Sequence, residues 1–147
     1  MGPRRTLAIV ASQYNATYVN GLVTHARREL EAIGSAMNVT LHEVPGAFEI
    51  PLIVQELAAR GEIDAIIALG VIIQGETEHA TLIAATVTDA LQRIALQHRV
   101  PVIHEVLLVK NEEQARVRCL EGELNRGVEA ARAAVRMAQV VAELPRR

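Results

Sequence analysis

The sequence predicts an α/β protein whose parallel sheet carries helices on both faces. Short apolar segments of strand length alternate with longer segments of helical periodicity along the 147 residues. Half of the residues are hydrophobic, which suffices for one domain over residues 1–147 with its own core. Residues 63–69 are apolar except for Asp64, as in a strand covered on both faces. We therefore expect a four-stranded parallel sheet joined by right-handed crossovers.

The first half of the chain predicts two strand–helix units. Residues 6–11 form the first strand, and residues 17–33 form a helix whose apolar side chains recur on one face. Residues 38–44 alternate in polarity as a strand does, and a Pro-Gly dipeptide then breaks the chain. A second helix is expected over roughly residues 48–60.

The second half predicts two more strands and three more helices. The buried strand at 63–69 is followed by a long helix over about 77–98 and a fourth strand at 101–109. A short helix at 112–119 and a final helix at about 125–143 complete the chain. The predicted order is βαβαβαβαα.

The connection after the third strand is a candidate anion site. Residues 70–79 read GVIIQGETEH, with Gly70 predicted to open the turn. Ligands of open α/β sheets bind outside the carboxyl ends of the strands, and a helix starting near Thr77 would direct free backbone N–H groups at an anion. His79 can exchange a proton near neutral pH. Taken alone, these residues fit an ordinary connection with a surface histidine equally well.

Composition argues against several classes of partner. With 15 basic and 17 acidic residues, the formal net charge of −2 offers no footprint for nucleic acid or an anionic membrane. No apolar stretch approaches a membrane span of about 20 residues. The single cysteine excludes an internal disulfide, and the absence of metal-ligand spacing argues against a metal site. We expect a protein of the reducing cytoplasm.

Four separated motifs resemble those of the lumazine synthase family. They are residues 44–51 (VPGAFEIP), residues 68–79 (ALGVIIQGETEH), Glu113-Gln114-Ala115 with Arg118, and Asn125-Arg126-Gly127. The resemblance extends over about residues 7–138, and residues 11–15 (ASQYN) stand where the family has its first substrate-contacting loop.

This resemblance implies an enzyme of riboflavin biosynthesis. It would condense 5-amino-6-ribitylaminouracil with 3,4-dihydroxy-2-butanone 4-phosphate, releasing phosphate and water to give 6,7-dimethyl-8-ribityllumazine. The implied fold is a flavodoxin-like three-layer α/β/α sandwich, with no redox cofactor and no metal. The implied assembly is a homo-oligomer, either a pentamer or a sixty-subunit shell of pentamers, with active sites between subunits. Association with riboflavin synthase is also compatible with it.

The resemblance also assigns roles to residues. Pyrimidine and ribityl contacts are implied for Tyr14, Ala47, Phe48, Glu49, Val71, Ile72, Ile73 and His104. Tyr14 would stack on the pyrimidine, and Glu49 would accept hydrogen bonds from the ribityl hydroxyls. Phe48 looks more like a core residue, and Glu49 could instead favour the dipole of its helix.

Proton transfer and phosphate binding are implied for the turn and for one arginine. His79 would move the proton. The phosphate would lie against Gly75, Glu76 and Thr77, and Arg118 of the adjacent subunit would clamp it with a bidentate guanidinium. A surface helix arginine is the alternative reading of Arg118.

Some residues depart from the family pattern. Gln74 stands for a usual arginine, Ala80-Thr81 for an aromatic and an acidic residue, His104-Glu105 for Phe-Gly, and Arg126, a candidate neighbour contact, for lysine. His104 would turn an apolar wall into one that can titrate. These departures leave open a diverged paralogue, riboflavin-forming or acting on sugar phosphates, and a non-catalytic shell protein. The lack of an insertion between Arg118 and Gly127 favours a shell.

Overall fold

Four parallel strands form one sheet between helices in the computed structural model, which describes residues 4–34, 36–76 and 78–145. The strands are β1 (Arg5–Ser12), β2 (Met37–Val44), β3 (Ala65–Ile73) and β4 (Val102–Val109). The helices are α1 (Ala16–Ile33), α2 (Ile50–Ala59), α3 (Ala80–His98), α4 (Glu112–Cys119) and α5 (Arg126–Glu143). The strand order is β2-β1-β3-β4, the order of flavodoxin-like sheets up to the fourth strand. The predicted α/β fold with a four-stranded parallel sheet is confirmed.

Two apolar layers hold the helices against the sheet. Leu7 and Ile9 of β1 pack with α1 and α5, whereas Ala8 and Val10 pack with α2 and α3. Every residue of β3 is buried, as the apolar run predicted. Burying one such leucine or isoleucine contributes roughly 1.5–3 kcal/mol, so the two layers dominate the stability of the fold. Within the described residues, no helix combines the length and apolarity needed to cross a membrane.

Asp64, the one charged residue in the apolar run, lies just before β3 and pairs with β1. Its carboxylate accepts the Thr6 N–H at 2.8 Å, and its own N–H donates to the Thr6 carbonyl at 2.8 Å. These two bonds satisfy backbone groups where the two strands begin. The charge therefore fixes the start of β3 and does not interrupt its core.

The prediction that the chain turns at Gly70 is wrong. β3 continues to Ile73, and residues 70–73 pair with residues 106–109 of β4. A Cβ at Gly70 would lie 3.0 Å from Ser12 Oγ and 3.2 Å from a Val106 methyl carbon, so glycine serves close packing there. The third helix begins at Ala80, later than the predicted start near Thr77, and Thr77 itself lies outside the described residues.

Asn125 ties the end of α4 to the start of α5. Its buried side chain donates to the carbonyls of Cys119 at 3.0 Å and Glu121 at 2.8 Å. The same side chain accepts the N–H groups of Gly127 and Val128, which caps α5. The segments that carry Arg118 and Arg126 are thus held in a fixed relation.

We predict that Gly127→Ala destabilises the protein. The added Cβ would lie 2.3 Å from the Leu22 carbonyl oxygen, a backbone atom of α1 that cannot turn away. Overpacking of this kind costs about 1–3 kcal/mol, although helix propensity alone would predict a gain from alanine. The measurement is the midpoint of thermal unfolding.

Gly122→Ala is the matched control, since no atom lies within 4 Å of its added Cβ. If Gly127→Ala unfolds at the temperature of the control, the close approach of α1 and α5 is incorrect.

Candidate functional site

A cleft opens at the carboxyl edge of the sheet, where β1, β2 and β3 end. Its volume is about 320 Å³, and we call it the edge cleft. Seven of the eight residues that were predicted to contact the pyrimidine and the ribityl chain line it: Tyr14, Ala47, Phe48, Glu49, Val71, Ile72 and Ile73. The eighth, His104, lies elsewhere.

Tyr14 lies on a braced loop after β1. The Gln13 N–H donates to the Val44 carbonyl at 2.8 Å, and the Tyr14 N–H donates to the Pro45 carbonyl at 3.0 Å. Asn15, which immediately precedes α1, adopts the left-handed conformation (φ 59°) that asparagine tolerates. Although its backbone is fixed, the Tyr14 side chain remains 61% exposed. The loop therefore offers an aromatic face that a flat ligand can cover.

Phe48 and Glu49 lie in a short 3₁₀ turn, Ala47–Glu49, before α2. The reading of Phe48 as a core residue is wrong: its side chain is 60% exposed, because Ile50 and Val54 form the buried face of α2 instead. One Glu49 carboxylate oxygen accepts the Gly46 N–H at 2.8 Å. Glu49 thus stabilises the turn and also lines the cleft.

The last residues of β3 form the floor of the edge cleft. β1 pairs with β3 only as far as Leu69, whereas β3 runs on through Val71, Ile72 and Ile73. The Asn15 side-chain amide donates to the Val71 carbonyl at 2.8 Å. The edge of β3 that faces the cleft therefore carries backbone groups that no strand pairs, while β4 supports its other edge.

The turn after β3 leads to His79, the residue predicted to transfer a proton, and includes residues predicted to bind the phosphate. A 3₁₀ turn spans Gln74–Glu76, and His79 immediately precedes α3. The exposed His79 is anchored through its backbone, whose carbonyl accepts the Ile83 N–H at 2.9 Å. Ile83 lines the edge cleft, so His79 lies one helical turn from a cleft residue. A Cβ at Gly75 would meet no atom within 4 Å, so its backbone is open to a ligand.

A second cavity of about 410 Å³ lies against the edge strand β4, and we call it the β4 cavity. The predicted residues His104, Arg118 and Arg126 line it, together with Glu105. Its described lining shares no residue with that of the edge cleft. The predicted site residues therefore form two groups on one subunit.

Two hydrogen bonds determine which ring nitrogen of His104 carries the proton. Its Nδ1 accepts the Val106 N–H at 3.0 Å, so Nδ1 carries a lone pair, and Nε2–H then donates to Thr88 Oγ1 at 2.7 Å. Burial also lowers the pKa of His104. The predicted wall residue therefore takes up a proton less readily than a solvated histidine, and both of its ring nitrogens are bonded inside the subunit. Thr88, on α3, gave no signal in the sequence.

Glu105 and Arg126 form a two-point ion pair that sequence reasoning missed. Arg126 donates through Nε at 3.0 Å and through Nη2 at 2.9 Å to the two oxygens of Glu105, which is 9% exposed. Burial raises the pKa of Glu105, and Arg126 opposes that shift. Arg126 also pairs with Glu129 at 2.6 Å. Glu105 and Arg126 are 21 residues apart in sequence, which is too far for any periodic signal.

Cys119 lies buried at the end of α4. Burial raises the pKa of its thiol to about 12, despite the opposing charge of Arg118. Such a thiol is protonated near neutral pH and is a poor nucleophile. In the described part of the chain, no three His, Cys, Asp or Glu side chains are grouped as a metal ion would require.

Comparisons with known proteins converge on one family. Residues 4–142 match the family model described as 6,7-dimethyl-8-ribityllumazine synthase. A protein of that name from Burkholderia multivorans is 44% identical over 139 residues, covering 94% of this chain and 78% of the relative. Those from Paraburkholderia phymatum, with the same coverage, and Burkholderia vietnamiensis, with 94% and 80%, are 43% and 42% identical. The matched residues include both cavities.

We predict that His104→Phe makes stability less dependent on pH. The folded pKa of His104 lies below its ordinary value of 6.5, so the unfolded chain binds this proton more readily. Wild-type protein should therefore lose stability as the pH falls from about 6.5 through the folded pKa, and the variant should lose less.

The measurement is the thermal midpoint of both proteins between pH 8 and pH 5. Histidines common to the two proteins cancel in the comparison. Parallel curves for wild type and variant would show that His104 is not held neutral.

Proposed function

The chain belongs to the 6,7-dimethyl-8-ribityllumazine synthase family, and we propose how its two cavities carry out that reaction. The protein is a transferase of riboflavin biosynthesis. It condenses 5-amino-6-ribitylaminouracil with 3,4-dihydroxy-2-butanone 4-phosphate to form 6,7-dimethyl-8-ribityllumazine. The relatives found carry this name, which does not favour a diverged paralogue or a non-catalytic shell.

The edge cleft binds the pyrimidine. The observation that carries this assignment is the unpaired edge of β3 at residues 71–73, beside the exposed ring of Tyr14. A uracil ring has donors and acceptors along its edge and a flat face, so it suits a strand edge below and an aromatic ring above. Ala47, Phe48 and Glu49 flank the same cleft, where the Glu49 carboxylate can accept hydrogen bonds from ribityl hydroxyls.

His79 moves the proton. Condensation of an amine with a ketone needs a proton taken from nitrogen and one delivered to the departing oxygen, and elimination of phosphate needs a proton taken from carbon. His79 precedes α3 close to the cleft, while His104 is held neutral by its own hydrogen bonds. The two histidines therefore have different roles.

The phosphate lies between Gly75, Glu76 and Thr77 of one subunit and Arg118 of the next. A guanidinium binds phosphate through two parallel bonds and keeps its charge at every physiological pH. In one subunit Arg118 lines the β4 cavity and not the edge cleft, which supports a site completed by a neighbour. His104 would then close the neighbour's cleft with its neutral ring, and Arg126 lies beside the same contact.

The family is one of oligomers that act on small molecules. The assembly proposed here is a pentamer or a sixty-subunit shell of pentamers, with residues 1–147 as one domain. We place it in the cytoplasm, where it could associate with riboflavin synthase. No cofactor or metal takes part in this proposal.

We predict that His79→Ala lowers kcat and Arg118→Ala raises KM. Loss of a general acid–base residue costs about 10²- to 10⁴-fold in rate. Loss of a charge-assisted phosphate contact should raise KM for the butanone phosphate roughly 10- to 100-fold. Formation of the lumazine is followed by its fluorescence, with each substrate varied in turn.

Arg132→Ala is the matched control for the arginine, since Arg132 pairs at the surface with Glu29. It should turn over as wild type does. A wild-type protein inert with both substrates would overturn the proposed function.

A further inference from the structure

The β4 cavity contains two arginines in different electrostatic states. Arg126 is held by Glu105 through two hydrogen bonds and by Glu129 at 2.6 Å. Arg118 lines the same cavity, and within residues 4–34, 36–76 and 78–145 it makes no ion pair. The charge of one arginine is compensated inside the subunit, and that of the other is not.

The imidazole ring of His104, which also lines the cavity, adds no charge. The Val106 N–H occupies Nδ1 of His104, and Nε2–H donates to Thr88, so the ring stays neutral while these bonds persist. Among the described lining residues, Glu105 is then the one negative charge and Arg118 the one uncompensated positive charge.

Glu105 is placed to control Arg126. It lies within β4 on the face that packs against α5, and Arg126 is the first residue of that helix. A buried carboxylate is costly to leave unpaired, and the two-point geometry satisfies both of its oxygens. Arg126 is itself 40% exposed, but turning it towards a ligand would leave the buried Glu105 carboxylate unpaired, so the pair holds its guanidinium in place.

We propose that Glu105 is a positioning residue of the β4 cavity. Because it holds Arg126, Arg118 binds the phosphate without help from a second cation, and the phosphate product can leave. This inference rests on the proposed function, in which Arg118 is the phosphate ligand. Without the Glu105 carboxylate, only the exposed pair with Glu129 still compensates Arg126, so the positive charge in the cavity rises and phosphate binds more tightly. Glu105 thereby limits affinity for the product.

The inference predicts effects of opposite sign on inorganic phosphate affinity, measured by titration calorimetry on the assembled protein. Glu105→Gln should bind phosphate about 5- to 30-fold more tightly, as expected when one negative charge is removed from the cavity that holds the anion. Arg126→Gln leaves the Glu105 carboxylate without its two-point partner in the cavity that Arg118 lines, and it should bind phosphate more weakly by a similar factor. The double variant should return close to wild type.

Glu29→Gln is the matched control, because Glu29 also pairs with an arginine of α5, Arg132, and neither residue lines the cavity. Its phosphate affinity should stay near the wild-type value. The tighter binding by Glu105→Gln should also appear as stronger phosphate inhibition of turnover, and it should diminish as salt is raised.

A purely structural role of Glu105 would weaken phosphate binding in Glu105→Gln and Arg126→Gln alike, and that result would overturn the inference. Unchanged binding by Glu105→Gln would do the same. If Glu105→Gln does not fold, Arg126→Gln is the variant that tests the inference. Unchanged or tighter phosphate binding by that variant overturns it. Arg118→Ala separates the two levels: wild-type phosphate affinity there refutes the proposed phosphate ligand itself.

Discussion

The pairing of β1 with β3 ends four residues before β3 does, and the site depends on that mismatch. β1 follows β3 to Leu69 and ends at Ser12, which pairs with β2 alone, while β4 supports β3 as far as Ile73. Backbone groups in a protein must be paired or solvated, and Asn15 satisfies the Val71 carbonyl. The rest of that edge faces the cleft on a strand whose residues are all buried. A rigid strand edge of this kind can hold a planar heterocycle in register.

The edge strand β4 carries part of the second group of predicted site residues, those of the β4 cavity. Its alternating side chains send His104 towards α3 and Glu105 towards α5, so neighbouring residues serve different layers. Asn125 holds α4 and α5 together beside this strand. The result is a surface with one neutral ring, one fixed ion pair and one uncompensated guanidinium, separate from the edge cleft. Two incomplete groups on one subunit are what a site shared between subunits would require.

Local patterns predicted the fold, because strand and helix signals depend on residues close in sequence, and the motifs of the family resemblance supplied residues that line the edge cleft. The apolar run announced β3, and the motifs around Tyr14, Glu49 and His79 marked the loops at the carboxyl edge. Gly70 was misread as a turn signal, although its small size is required by Ser12 and Val106, which belong to other strands. The pair Glu105–Arg126 and the bond from His104 to Thr88 join distant segments. No window of sequence carries that information, so the charge of the β4 cavity needed the structure.

The most direct test of a shared site is complementation between two inactive subunits. His79→Ala lacks the residue proposed to transfer the proton beside the edge cleft, and Arg118→Ala lacks the arginine proposed to bind the phosphate from the β4 cavity. If neighbouring subunits build each site, assemblies refolded from an equal mixture contain some sites with both residues intact, about a quarter for random mixing. The account predicts that such mixtures regain about a quarter of wild-type turnover. Mixtures no more active than the two variants measured separately would contradict it, because each site would then lie within one subunit.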